Sequence, residues 1–184
     1  MNLYFIRHAP TEANINGNMV KNYDAYNIMP FDAVRWHNTV GKFLPKDFKL
    51  FCSPIKRCKQ TLEVLFPGIK YTTLETLREF DCSALNGKNF WEMSEEEFYK
   101  LVPLTKDIIE YQMENLLWDL VANGDPENVV IIGHGFFGRC LYSYWNNDDD
   151  TPFEILNSKN YQFKNLDMME KGNNTIITHR YLRS

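Results

Sequence analysis

Two histidines and two arginines in this chain stand where chemistry on an anion would need them. His8 and Arg7 follow a short apolar run, His134 lies between two glycines after the most apolar run of the chain, and Arg57 comes shortly after Ser53-Pro54 at the end of a third. A guanidinium is charged at every accessible pH and offers a planar fork of donors that matches phosphate oxygens. An imidazole is a nucleophile near neutral pH where its attacking nitrogen is kept free of a proton. Hydrolysis of a phosphate monoester needs both, because charge spreads over three equatorial oxygens while a nucleophile attacks in line. It also needs a group that protonates the leaving oxygen. Taken singly, His8 and His134 also read as ordinary loop or turn histidines, and Arg57 as a solvated helix residue like Lys56 and Lys59.

Short apolar runs alternate with helical periodicities along the chain. Asn2–Ile6, Lys49–Cys52, Ile69–Leu74 and Asn128–Ile132 have the length and composition of buried strands. Phe31–Leu44 has mostly helical spacing and stops at Pro45. Ser53-Pro54 reads as an N-cap with proline at the first helical position, opening a helix to about Leu65. Ser94 with Glu97 three residues later is a capping-box signature for a short helix. Longer helices are expected from Leu104 to Val121 and from Gly135 to about Trp145. Thr11–Pro30 reads as a loop with one helical turn, and Thr76–Gly87 as irregular. Tyr161–Leu166 and Thr175–Leu182 are strand candidates joined by a turn at Lys171–Asn174.

Strands alternating with helices predict right-handed βαβ units. The expected fold is therefore α/β, a three-layer sandwich with a mostly parallel sheet and helices on both faces. In such sheets ligands bind outside the carboxyl ends of the strands. That rule draws Arg7-His8, Ser53–Arg57 and Gly133-His134 toward one crevice. With 184 residues, no repeat and no linker, residues 1–184 read as a single domain.

Arg7-His8-Ala9-Pro10-Thr11 with Asn14 resembles the signature of the histidine phosphatase superfamily, the phosphoglycerate mutase-like enzymes. Ser53-Pro54-Ile55-Lys56-Arg57-Cys58-Lys59-Gln60-Thr61 is similar to its second element, Ser-Pro-x-x-Arg-x-x-Gln-Thr. Leu77-Arg78-Glu79-Phe80-Asp81 followed by Leu85-Asn86-Gly87 resembles the third, and Gly133-His134-Gly135 the fourth. The resemblance implies that His8 becomes phosphorylated, and that Arg7, Arg57 and His134 cradle the phosphoryl group with Asn14 as a further donor. It implies that Glu79 protonates the leaving oxygen and later takes a proton from the attacking water. Thr11 supports the His8 loop, and Gly135 permits a close backbone approach. No metal and no cofactor are implied, since cationic side chains carry the charge a metal pair carries elsewhere.

The chain departs from the family pattern at Ala9, where glycine is usual, at Ser83–Gly87, where Gly-x-Trp-Glu-Gly is usual, and around Pro103–Asp107, where Gly-Glu-Ser is missing. These departures bear on substrate selection more than on chemistry, and Phe90–Met113 is expected to wall the pocket. Three functions are weighed. A phosphatase on an organic phosphate, or on a phosphoprotein, ranks first, near the compact enzymes resembling α-ribazole phosphatase. A phosphoglycerate mutase, which returns the phosphoryl group to substrate, ranks second, because dedicated mutases of this family carry additional segments. A non-catalytic phosphate-binding relative ranks third, since none of the five central residues is lost.

The remaining features bound the partners. A net charge of −4 without a basic stripe argues against general electrostatic binding of nucleic acid. No stretch approaches the roughly 18 apolar residues of a membrane helix, and the opening residues do not read as a signal peptide. Cys52, Cys58, Cys82 and Cys140 are widely spaced, which reads as reduced thiols in a cytoplasmic enzyme rather than a zinc site. Asp148–Asp150 reads as an exposed polar turn rather than a metal site. His37 and His179 match no motif. The expected partner is a small-molecule phosphate ester, and a homodimer stays open.

Overall fold

The computed structural model describes residues 1–18, 26–89, 92–102 and 104–146. Four strands, β1 (Asn2–Arg7), β2 (Lys49–Cys52), β3 (Thr72–Thr73) and β4 (Asn128–Gly133), form one parallel sheet in the order β1-β4-β2-β3. The helices are α1 (Glu12–Ile15), α2 (Ala33–Thr39), α3 (Lys56–Leu65), α4 (Glu95–Leu101), α5 (Lys106–Ala122) and α6 (Gly135–Asn146). Short 3₁₀ turns cover Gly41–Phe43, Glu75–Leu77 and Ser83–Leu85.

The near-continuous apolar strands reflect burial of the sheet on both faces, which alternation of side chains then divides. Leu3, Phe5, Phe51, Val129 and Ile131 face a core completed by Met113, Leu116 and Leu120 of α5 and Phe137, Cys140 and Leu141 of α6. Tyr4, Ile6, Leu50, Val130 and Ile132 face Trp36 of α2 and Cys58, Leu62 and Leu65 of α3. Each fully buried aliphatic or aromatic side chain contributes about 1.5–3 kcal/mol, so the central strands are the stable frame. The three-layer α/β architecture expected from the sequence is present.

Late insertion of β4 between β1 and β2 decides where a site can form. The chain runs from β1 through α2 to β2, outward through α3 to β3, and returns on the other face through α5 to β4. Consecutive places along the carboxyl edge therefore belong to β1, β4 and β2. Arg7 pairs with Gly133 and Cys52 with Ile132. The backbone continues this register past the strand ends, with His8 N–H donating to Gly133 (2.9 Å) and Ser53 N–H to Ile132 (3.0 Å). His8, His134 and Ser53 thus stand side by side on three neighbouring strand ends.

Several elements differ from expectation. Helix α3 starts at Lys56 with Ile55 at its N-cap, and no side chain caps it there. Ser53 is therefore not its N-cap; its hydroxyl is engaged elsewhere and accepts only a long 3.4 Å bond from Ile55 N–H. The third strand shrinks to Thr72–Thr73 because it is an edge strand whose flanks, Ile69 and Tyr71, stay exposed. The helix expected over 31–44 is α2 with Asp32 as N-cap, followed by a 3₁₀ turn. Ser94 does cap α4, accepting from Glu97 N–H. His37 is exposed on α2, and its Nε2 lies 2.8 Å from the carbonyl of Leu65 at the end of α3. The tail strand candidates, His179 and Asp148–Asp150 lie outside the described residues.

Candidate active site

Arg57 stands in the first turn of α3, buried to 8% exposure between two imidazoles. Its Nε–H donates to His8 Nε2 at 2.9 Å, and its Nη2 lies 2.9 Å from His134 Nδ1. The rings of His8 and His134 are 5.5 Å apart, edge to face, and both are buried. A guanidinium only donates, so both contacted ring nitrogens must present lone pairs. The other nitrogen of each ring agrees. His8 Nδ1 lies 2.7 Å from the carbonyl of Ala9, which only accepts, so it carries the proton. His134 Nε2 lies 2.8 Å from Ser53 Oγ and therefore donates to it. Both imidazoles are neutral, with opposite tautomers.

The electrostatics have the same sense. Burial first, then the Arg57 and Arg7 guanidiniums, hold His8 and His134 well below the ordinary imidazole range. For His8 the bond to Ala9 opposes this in part. Arg7 acts on both histidines and packs its guanidinium over Gly135. A methyl group at Gly135 would lie 2.8 Å from Arg7 Nε and 2.9 Å from Cζ, so the missing side chain is what lets the cation lie there.

Glu79 reaches the same place from the segment after Leu77. Its carboxylate accepts from Phe137 N–H (2.8 Å), Phe136 N–H (3.2 Å) and Phe80 N–H (3.3 Å). It thereby occupies the N-terminus of α6, where backbone donors and the helix dipole favour an anion. Burial raises its proton affinity nonetheless, against the opposing pull of Arg57 and those three N–H groups. A carboxyl group that holds its proton more firmly than usual beside a cationic pocket can act as an acid and then as a base.

The remaining sequence-derived candidates are supports or partly committed. Thr11 and Asn14 form a capping box on α1, with Asn14 Oδ1 accepting from Thr11 N–H (3.1 Å) and Oγ1 (3.0 Å). Any donor role of Asn14 toward a ligand then falls to its NH₂ group. Ala9 is not among the residues of positive φ, so replacing the usual glycine strains nothing. Its N–H donates to Thr61 Oγ1 (2.9 Å), which in turn donates to the Arg57 carbonyl (2.7 Å).

Sequence reasoning missed how the second motif is used. Arg57, Gln60 and Thr61 share one face of α3, since positions three and four apart are neighbours on a helix. Gln60 binds Ile28 N–H (3.1 Å) and Asn27 Oδ1 (2.9 Å), holding the loop that returns to Pro10. Ser53 binds His134. The signal was the polar residues of Ser-Pro-x-x-Arg-x-x-Gln-Thr themselves, each of which contacts the His8 loop, its neighbours or His134.

A cleft of about 700 Å³ opens beside Glu79, bounded by Phe80, Val102, Leu104, Ile108 and Tyr111. Part of the stretch expected to wall the pocket thus lines the same cleft as Glu79. Among the described residues no three His, Cys, Asp or Glu side chains are grouped as a metal site, and no helix is long and apolar enough to cross a membrane.

The model of the histidine phosphatase superfamily (branch 1) matches residues 3–178. The chain belongs to this superfamily. Among solved structures, the chain is similar to a phosphoserine phosphatase of Entamoeba histolytica solved with phosphoserine (TM-score 0.66, 16% identity, 84% of this chain and 83% of that one). It is also similar to an Escherichia coli protein proposed to be an α-ribazole-5′-P phosphatase (TM-score 0.61, 15% identity, 85% and 83%). A phosphoglycerate mutase of Thermus thermophilus has the same fold (TM-score 0.57, 20% identity, 76% and 81%). At these identities the likenesses show the fold. No curated protein matches the chain by sequence.

Proposed function

We propose that this histidine phosphatase hydrolyses a small-molecule phosphate monoester through a phosphohistidine at His8. The observation that carries the reading is the tautomer of His8, with Nδ1–H tied to Ala9 and the Nε2 lone pair facing the cation that would receive a phosphate. An incoming dianion offers Arg57 better acceptors than imidazole, and its oxygens take over the guanidinium donors. Nε2 is then released to attack. A bond forms from Nε2 to phosphorus as the bond to the leaving oxygen breaks, and Glu79 protonates that oxygen. Water next attacks the phosphohistidine, Glu79 takes its proton, and the P–N bond breaks. Arg7, Arg57 and His134, the last once its Nδ1 has taken up a proton with the anion, hold the phosphoryl oxygens with the NH₂ of Asn14 and the close approach at Gly135. The arginines carry the charge stabilisation, so no metal or cofactor enters the steps.

The test is a panel of phosphorylated metabolites with pure protein, together with trapping of the intermediate. Wild type should acquire an acid-labile, base-stable phosphoryl label, His8→Ala should neither turn over nor label, and EDTA should leave the rate unchanged. Loss of activity in chelator with return on zinc or magnesium would point to a metallophosphatase. Transfer of the label to a second hydroxyl faster than to water would point to a mutase.

A further inference from the structure

Ser53 follows the last residue of β2 beside His134, is fully buried, and takes no part in the steps above. Its Oγ is 2.8 Å from His134 Nε2 and 3.4 Å from Ile55 N. Its backbone is fixed at both groups, the N–H by Ile132 (3.0 Å) and the carbonyl by the Cys52 thiol (3.3 Å). The hydroxyl also bonds the Cys58 thiol. Cys58 Sγ itself lies 3.5 Å from His134 Nε2 and 3.5 Å from the Gly133 carbonyl. The oxygen therefore has one place to sit and one strong donor to receive.

We propose that Ser53 is a positioning residue that holds His134 as its Nε2–H tautomer, so that Nδ1 always faces the phosphoryl site. This rests on the hydrolase reading for its consequence, since it concerns the same pocket. Arg57 enforces this tautomer too, as long as it donates to Nδ1. Once phosphate oxygens take the Arg57 donors, that constraint disappears, and Ser53 is what keeps the proton on Nε2. The lone pair of Nδ1 then accepts a hydrogen bond from the proton of a phosphate monoanion, or takes up a solvent proton with the dianion and donates it to a phosphoryl oxygen; in both cases Ser53 Oγ continues to accept from Nε2–H. Without the hydroxyl, Nε2–H would face only the Cys58 sulfur, a weak acceptor. The ring could then exchange its proton to Nδ1 or rotate. The groups around His134 that set its surroundings are Arg57, Arg7 and Arg78 as charges, with His8 and Cys58 in contact.

The test reads the ring nitrogens directly. In ¹⁵N-histidine protein, two-bond ¹H–¹⁵N spectra assign the tautomer, with His134→Asn identifying the signals. Wild type should show His134 protonated at Nε2, both free and with saturating inorganic phosphate. Ser53→Ala should keep Nε2–H when free but become mixed or reversed under phosphate. Its kcat/KM should fall roughly 10- to 100-fold, by analogy with the loss of a hydrogen-bond partner that orients a metal-bound histidine. Ser53→Cys, nearly isosteric and a weaker acceptor, should give an intermediate result and carries the test if the alanine variant does not fold. Wild-type His134 protonated at Nδ1 alone when free, or a Ser53→Ala protein with unchanged phosphate-bound spectrum and rate, would overturn the proposal. The spectra are taken on bound phosphate without turnover. A wild type that binds phosphate yet hydrolyses no monoester would thus count against the hydrolase reading while leaving the ring spectra to decide the role of Ser53.

Discussion

Arg57 meets His8 and His134 by their lone pairs, so one guanidinium ties both rings together by hydrogen bonds. That arrangement is possible only while both rings are neutral, which burial and the two arginines secure. Lysine cannot replace this geometry, because a compact ammonium lacks the fork that reaches two rings at once. Arg57→Lys should lower kcat/KM by about 10²–10³, comparable with removing a donor to a transition-state oxyanion, as steady-state kinetics on an alkyl phosphate will show. Stability should also depend on these rings. Because their pKa values are lowered on folding, the unfolded chain binds protons below the ordinary imidazole value near 6.5 that the native protein does not. Their contribution is therefore fully present above about pH 6.5 and is lost as the pH falls toward the native values, with a slope approaching about 2.7 kcal/mol per pH unit for two groups. Glu79, raised on folding, acts in the opposite sense just above the carboxylate range, where the native state binds the extra proton. Urea unfolding at pH 7.5 and 5.5 measures the slope. A slope as steep in a protein with both histidines replaced by asparagine would remove them as its source.

At the scale of elements, the site depends on how closely α6 lies on β1 and how firmly α3 lies under the His8 loop. A methyl group at Gly138 would collide with the Phe5 ring, between strand and helix. Gly138→Ala should thus destabilise by about 1–3 kcal/mol through overpacking, visible as a lower urea midpoint with unchanged m-value. Thr61→Val removes both the partner of Ala9 N–H and the bond to the Arg57 carbonyl. It should cost about 1–3 kcal/mol for the buried donor left unmade and lower kcat more than it raises KM, because His8 is displaced rather than substrate released. Elements buried on two faces were legible as continuous apolar runs, which is why β1, β2 and β4 were found close to their observed ends. The edge strand β3 was overextended, since Ile69–Leu74 is β-branched and aromatic yet largely exposed. Ser53-Pro54 has the composition of a helix cap, and no local pattern distinguishes a hydroxyl that caps from one bound to a histidine 81 positions away. The same holds for α6, whose first N–H groups are satisfied by Glu79 from a distant loop. The five central residues were recognisable by motif. Their tautomers and mutual bonds follow from strand order, which a single chain of letters does not display.

For the whole molecule, insertion of β4 between β1 and β2 means that one small anion would bridge groups from every layer: Arg7 at the end of β1 and His8 just after it, Arg57 on α3, and His134 before α6. An anion that binds there and not to the unfolded chain must stabilise the fold by mass action, about 2.7 kcal/mol at a hundred times its dissociation constant. For a chain of this size that corresponds to roughly 5–11 °C in the unfolding midpoint, at about 2–4 °C per kcal/mol. Sulfate is the informative ligand, because it remains a dianion between pH 5.5 and 8 while phosphate changes its own charge. A dianion beside Nδ1 of His134 and Nε2 of His8 opposes the effect of the arginines and draws a proton onto the pocket. Binding is then tighter where protons are available. The midpoint shift produced by sulfate, measured by calorimetry against sodium chloride at equal ionic strength, should be larger at pH 5.5 than at pH 8. It should vanish in a protein carrying Arg7→Ala and Arg57→Ala, and persist in His8→Ala, which keeps both cations. Equal shifts at the two pH values would mean that sulfate binds with no proton uptake. The histidines would then remain neutral beside the anion, and the arginines alone would account for its capture.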